Sequence, residues 1–280
     1  MLRIRPMKTT DFRWVIELTS KEHWGFGIRD LKRMVALDPK GCLVAVLDGR
    51  PIGLTTTISY GKKLAWIGNV VVDRKHRGAG IGTSLVQSAI THVLRSHVKR
   101  IGLNAYPENE SMYERLGFRT VDGFVRLSIS RETGKPANES PKIPFGQIMK
   151  LDKRAFGADR TRLLQHLLRE FPRGWTWTLK GAEVSGYSIV KEYQDSSEIG
   201  PSVCQDVNQE RIARLLQSSI ALARKWPLEL SIPESNWTVL EAVTRLGFRV
   251  ERKGVVMSYS SLDTITVSPA TVAFGFLDKG

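Results

Sequence analysis

Between Val72 and Thr83 the chain reads Asp73-Arg74-Lys75-His76-Arg77-Gly78-Ala79-Gly80-Ile81-Gly82. A β-branched run precedes this stretch, and apolar residues at helical spacing follow it, so it reads as a strand, a glycine-rich turn and a helix. Such a turn aims several unpaired backbone N–H groups at one point, at the positive end of a helix dipole, which is chemistry for gripping a phosphate or pyrophosphate. Side chains at Gly78, Gly80 or Gly82 would hold that group away from the main chain. Arg74, Lys75 and Arg77 add diffuse positive charge. A P-loop is excluded because Gly-Lys-Ser/Thr is absent. A dinucleotide fingerprint fits poorly: the third glycine arrives one residue early, the station of the ribose-binding acid falls near Asn104, and the turn follows an antiparallel meander.

The elements that must position this turn follow from local pattern. Leu2 to Arg5 reads as a strand, and Asp11 to Leu18 and Ile28 to Leu37 as helices, with Asp11 in the place of a cap. Cys42 to Leu47 and Ile52 to Ser59 flank Asp48-Gly49-Arg50-Pro51, a hairpin signal. Leu64 to Val72 is the strand before the turn, and Thr83 to Leu94 the helix after it. Arg100 to Ala105 reads as a strand, Ser111 to Leu116 as a short helix ended by Gly117, and Phe124 to Ser130 as a closing strand. From Arg131 to Pro144 the composition turns to Gly, Lys, Pro, Asn, Glu and Ser, the signature of a linker. A second series then starts at Phe145 to Lys150, with a helix from Asp159 to Phe171. The pentapeptide Arg115-Leu116-Gly117-Phe118-Arg119 returns as Arg245-Leu246-Gly247-Phe248-Arg249, after a helix and before a strand each time, which argues for duplication. The expected organisation is a domain over 1–133, a linker over 134–144 and a second domain over 145–280.

Arg77-x-x-Gly80-x-Gly82 resembles the signature of the GCN5-related N-acetyltransferases (GNAT). Val70-Val71-Val72 before it resembles that family's fourth strand, and the block from Tyr113 to Phe118 resembles its second motif, in family order. The resemblance implies an α/β (α+β) protein of two tandem GNAT-like domains, each a mixed, mostly antiparallel sheet flanked by helices. It implies acetyl-CoA as co-substrate, with its pyrophosphate on the amides of Arg77, Gly78, Ala79, Gly80, Ile81, Gly82 and Thr83. The pantetheine arm would meet the main chain of Val70, Val71 and Val72, with Asn104 and Asn109 as further contacts. Asn104 also suits a strand-end residue bonded to its own backbone. The implied reaction is direct attack by a neutral amine on the thioester, with Tyr113 as the acid for the leaving thiolate, since a phenol of ordinary pKa keeps its proton at neutral pH. No carboxylate stands beside Gly68-Asn69-Val70, so the base is water or one of Glu22, His23, Glu108 and Glu110. His76 reads as a phosphate neighbour or an exposed residue. In the second half Gly200-Pro201-Ser202-Val203-Cys204 stands where the turn would be, and Val243 stands at the station of Tyr113. That half is therefore expected to be degenerate and unable to bind acetyl-CoA. Its arrangement, including Ser231-Ile232-Pro233-Glu234 and Ala273-Phe274-Gly275-Phe276, resembles the C-terminal domain of bacterial and archaeal tandem acetyltransferases of this superfamily, which implies a wall for the acceptor pocket.

Charge narrows the partners. The chain carries 42 Lys and Arg against 28 Asp and Glu, a net charge of +14, of which +10 belongs to residues 1–133. Such an excess attracts anions, but no zinc-finger spacing, basic heptad helix or aromatic RNP-like strand points to nucleic acid. A small polyanionic ligand accounts for it as well. With 41% hydrophobic residues and no long apolar run, the chain reads as soluble. Two distant cysteines, Cys42 and Cys204, and no visible secretory leader suit the cytoplasm. No metal is implied. The leading expectation is acetylation of a primary amine on a small molecule. A protein or peptide acetyltransferase and a non-enzymatic acetyl-CoA-binding regulator stand as alternatives, and a homodimer is compatible with each. Trp24, Trp175, Trp177, Trp226 and Trp237 are candidates for pocket walls or, more commonly, for core.

Overall fold

Asp48 and Gly49 both take positive φ, 48° and 81°, the backbone of a tight hairpin whose twist matches its strands. In the computed structural model, which describes residues 1–130 and 142–275, that hairpin joins β2 (Leu43–Leu47) to β3 (Arg50–Tyr60). Before it come β1 (Leu2–Pro6), α1 (Phe12–Ser20) and α2 (Ile28–Leu37). After it come β4 (Leu64–Val72), α3 (Ile81–Leu94), β5 (Ile101–Ala105), α4 (Pro107–Arg115) and β6 (Phe118–Ile129). The second half repeats the series without a counterpart of β1. It runs α5 (Phe145–Phe156), α6 (Thr161–Glu170), β7 (Trp175–Lys180), β8 (Glu183–Glu192), β9 (Ser197–Cys204), α7 (Gln209–Leu222), β10 (Leu228–Pro233), α8 (Trp237–Arg245) and β11 (Arg249–Tyr259), then adds β12 (Thr271–Ala273). Gly117 and Gly247 end α4 and α8 with matching φ of 91° and 92°. The repeated pentapeptide thus marks one structural station twice, where only glycine enters the left-handed region without strain.

The two halves build one sheet, in the order β1-β2-β3-β4-β5-β11-β6-β10-β9-β8-β7. They do so by exchanging their last strands. β11 of the second half lies antiparallel to β5 of the first, with Val255 opposite Ala105. β6 of the first half lies antiparallel to β10 of the second, with Leu127 opposite Leu230. Each half therefore leaves its sheet edge open to the other, and closure removes both edges. Charged pairs cross the seam: Arg126 Nη2 donates to Glu229 at 2.7 Å, and Arg33, only 1% exposed, lies between Asp30 of its own helix and Glu170 of α6.

Both faces of the sheet carry apolar cores. Leu85, Val86, Ala89, Ile90 and Val93 bury one side of α3 against Ile67, Ile101 and Leu103. Leu31 and Met34 of α2 pack with Leu54, Val44 and Val71 on the other face. Between the halves, Trp66 and Phe124 share a core with Leu163, Leu164, Leu167 and Trp175. Trp175 is thus a core residue, whereas Trp237 is exposed. Cys42 and Cys204 are buried free thiols. Among the described residues no helix is long and apolar enough to cross a membrane.

Several local expectations need correction. Asp11 does not cap the helix that follows it: its carboxylate accepts from Lys8 N at 2.7 Å and from Arg5. α4 starts at Pro107 rather than Ser111, because proline suits a first helical position whose N–H has no partner anyway. β6 starts at Phe118 rather than Phe124, because residues 118–123 pair with β11 of the other half. Most of the expected linker, and Phe276, lie outside the described residues.

Candidate functional site

The site forms where two parallel strands part. β4 and β5 pair only at Ala65 with Ile101 and Trp66 with Gly102. Gly102 permits that approach, since a Cβ there would sit 2.5 Å from the Trp66 ring and 2.3 Å from Ile265. Beyond this point the ladder ends and a wedge opens between the strands. On its other side β4 carries a bulge: Thr56 lies opposite Gly68 and Leu54 opposite Val71, so Asn69 and Val70 together face Thr55. Asn69 takes φ 53° and its Nδ2 donates to Thr56 Oγ1 at 2.9 Å. A bulge leaves one residue's backbone outside the ladder, so β4 offers main-chain groups at its widest separation from β5. Past the bulge, Val71 and Val72 are buried on opposite faces of the sheet.

The glycine-rich turn closes the upper end of the wedge. Asp73 accepts from Lys75 N and holds a short 3-10 turn over Arg74–His76. Gly78 and Gly80 take φ 82° and 74°, and a Cβ at either would meet nothing within 4 Å. These glycines are required by backbone conformation, and the space in front of them is open to a ligand. The first bond that closes α3 runs from Ser84 N to Gly80 O at 3.0 Å, which leaves the preceding first-turn amides, including those of Ile81, Gly82 and Thr83, without an intrahelical acceptor. Ala79 lies exposed between the two open glycines.

The arginines of the turn have another role. Arg77 Nε donates to Val72 O at 2.9 Å and its Nη2 to Glu22 at 2.7 Å. Arg74 donates to the same carboxylate and to Lys21 O. They tie the turn to the end of β4 and to the segment after α1. Burial would raise the Glu22 carboxyl, but the hydrogen bonds and charges of Arg74 and Arg77 outweigh it and hold the group below its ordinary range. Glu22 is thus an anchor and a poor base. Glu108 is likewise held low, first by its own backbone amide and then by Arg252. Glu110 accepts from Thr120. His23 is exposed, and His76 sits half-buried in the turn.

α4 forms the opposite wall. Met112 reaches toward the first turn of α3, its Sδ 3.7 Å from the position of a Cβ on Gly82. One residue on, Tyr113 is 7% exposed and packs edge-on against Phe118, with centroids 6.1 Å apart. Burial pushes its phenol well above the ordinary value of 10.0, so it stays protonated. Asn104 is half-buried on β5, and Asn109 is exposed in α4, its amide donating to Tyr106 O. Asn69 and Thr56, which hold the bulge, escaped the sequence reading. The available signal was Gly68 inside a β-branched strand, which marks a bulge more often than a regular strand position. Among the described residues no group of three or more His, Cys, Asp or Glu is placed to hold a metal.

The second half has a matching opening. β9 and β10 pair in parallel from Ser197 with Leu228 to Ile199 with Leu230 and no further. The register shift of β9 falls at Gly200 and Pro201, the station of Asn69 and Val70, but Pro201 has no N–H to offer. At the start of α7, Asn208 accepts from Arg211 N, and Asp206 pairs with Arg211 and Lys180. This helix start is already capped and fronted by a carboxylate, the reverse of an anion site.

Comparison with known proteins finds a family match in each half. Residues 8–118 match the acetyltransferase (GNAT) family and residues 148–265 match an acetyltransferase (GNAT) domain. The chain is 24% identical over 251 residues to the holothin acyltransferase of Pseudoalteromonas sp. (strain SANK 73390), covering 87% of this chain and 80% of that protein. It is 23% identical over 205 residues to the uncharacterized N-acetyltransferase YitH of Bacillus subtilis (strain 168), covering 70% of each. A solved Pyrococcus horikoshii protein shares the fold at TM-score 0.82 and 23% identity, over 100% of this chain and 96% of that one. A tandem GNAT protein from the clavulanic acid biosynthesis pathway shares it at TM-score 0.64 and 14% identity, over 95% and 100%.

Proposed function

The chain belongs to the GNAT acetyltransferases, with a GNAT domain in each half, and from that premise we propose that its first half binds acetyl-CoA in the β4–β5 wedge and acetylates a primary amine of a small molecule. The observation that carries this reading is the succession of three features along β4 and into α3: strands that part, a bulge in β4, and a helix start whose glycines face open space. The residues fit the ligand. Amides from Arg77 to Thr83 would hold the pyrophosphate, the main chain of Val70, Val71 and Val72 would pair with the pantetheine arm, and Asn104 and Asn109 would be its further contacts.

When bound, acetyl-CoA supplies an acetyl group activated as a thioester. The protein supplies position and a proton. The backbone freed by the bulge at Asn69 and Val70 is the donor set for a carbonyl that gains negative charge. Tyr113 holds its proton at the phenol oxygen because burial disfavours the phenolate, which is the state a general acid needs. Glu22 and Glu108 are spent on arginines, Glu110 accepts from Thr120 and His23 is exposed, so water is the base this reading assigns to the acceptor's proton. A compact acceptor is favoured because α6 packs on α2 across the inter-half face, with Arg162 donating to Ala36 O at 2.8 Å. The likeness to an enzyme named for holothin supports the same preference. Two buried free thiols suit the cytoplasm as its place of action.

The test is transfer of label from [acetyl-14C]acetyl-CoA to a panel of primary amines, peptides included. Label on a small amine, transferred about 10²-fold more slowly or worse by Tyr113→Phe, supports the reading. Transfer confined to peptides, or none with any amine, contradicts it.

A further inference from the structure

The second half's opening is filled from within the chain. β12 pairs with β9, Thr271 opposite Val203 and Ala273 opposite Ser202. Cys204 N donates to Ala270 O, and on the other side Phe274 N donates to Ser231 O of β10, each at 2.9 Å. The segment 270–275 therefore lies between β9 and β10, bonded to both, where those strands no longer bond to each other. Side chains hold its main chain from either end: Asn236 Nδ2 donates to Pro269 O and Thr271 O, and Lys191 Nζ to Gly275 O. Val272, Ala273 and Phe274 are buried. β9 passes so close that a Cβ on Gly200 would sit 2.0 Å from Phe274 O. Among the described residues no strand enters the wedge between β4 and β5.

We infer that the β9–β10 opening is a second cleft for a pantetheine-type arm, and that residues 270–275 occupy it in cis as an internal ligand. An extended peptide and a pantetheine arm share the needed chemistry, a narrow chain whose amides bond to strand edges on both sides. This rests on reading the β4–β5 wedge as the acetyl-CoA site, because the two openings correspond strand for strand. The full coenzyme is barred twice, by the segment and by Asp206 at the start of α7. A phosphate-free arm is barred only by the segment.

The probe is accordingly S-acetylpantetheine, with amide hydrogen exchange of the full chain as readout. In the wild type it protects residues 67–72 and 101–105 and leaves 199–204 unchanged. Phe274→Pro removes the donor to Ser231. Asn236→Ala with Lys191→Met cuts the side-chain ties while leaving every backbone donor in place, and serves should the proline variant fail to fold. In either variant exchange at 271–273 rises at least about tenfold, as does that of 274 where it keeps its N–H, and the probe newly protects 199–204 and 231–233. If 271–273 stays slow with its ties cut, the segment is a fixed strand of the fold and the proposal fails. It fails equally if the segment is released and 199–204 gains nothing while 67–72 responds. A wild type in which 67–72 does not respond overturns the acetyl-CoA reading itself.

Discussion

Replacing Gly80 by alanine separates a backbone cost from a binding cost. Gly80 sits at φ 74° with nothing within 4 Å of a built Cβ, so the methyl meets no protein atom and the folding penalty is that of a left-handed non-glycine residue, about 1 kcal/mol. At about 2–4 °C per kcal/mol, the melting temperature falls by only a few degrees. The methyl does enter the space in front of the α3 amides. Loss of one charge-assisted hydrogen bond there costs about 1.5–3 kcal/mol, so affinity for acetyl-CoA falls about 10- to 150-fold. Gly49→Ala is the matched control: φ is 81°, nothing lies within 4 Å, and the residue belongs to the β2–β3 hairpin. It should cost the same few degrees and leave affinity unchanged. Calorimetric titration and thermal melts of both variants give the comparison. Equal affinities for the two variants would refute the assignment of the turn.

Tyr113→Phe removes the acid and keeps the packing against Phe118, so kcat should fall about 10²-fold or more with acetyl-CoA affinity unchanged in a binding titration. Because burial raises the Tyr113 phenol, its proton is retained as pH rises; kcat/KM should climb as the acceptor amine loses its proton and show no basic limb up to pH of about 10 in a pH-rate profile. Arg33→Met strands Asp30 and Glu170 without their shared cation, a loss of about 3–5 kcal/mol, seen as a melting temperature lower by about 6–20 °C. Because β6 and β11 are exchanged, fragments 1–130 and 142–280 should copurify when coexpressed and aggregate when expressed singly.

What could be read from sequence was local. α2 spans Ile28–Leu37 and β4 spans Leu64–Val72, the bounds that apolar periodicity and β-branched content predict, because helix and strand periods act within a few residues. That Gly78 and Gly80 take positive φ and Gly82 does not became visible only in the structure, though the glycines of the turn were legible by type and spacing. The strand exchange was not, since Leu127 finds Leu230 across about a hundred residues and either half's edge offers similar hydrogen bonds. The role of Arg77 was hidden likewise, because its partner Glu22 lies 55 residues earlier. Nor could Asn69 be read as a bulge residue without the register of β3, or Ala273 as the filling of a cleft without the separation of β9 from β10.

Titration of the wild-type chain with acetyl-CoA by calorimetry tests the central claim most directly. The account predicts one site per chain, filled in the first half while the second half keeps its own segment in place. No binding would contradict the reading of the wedge, and two equivalent sites would contradict the asymmetry between the halves.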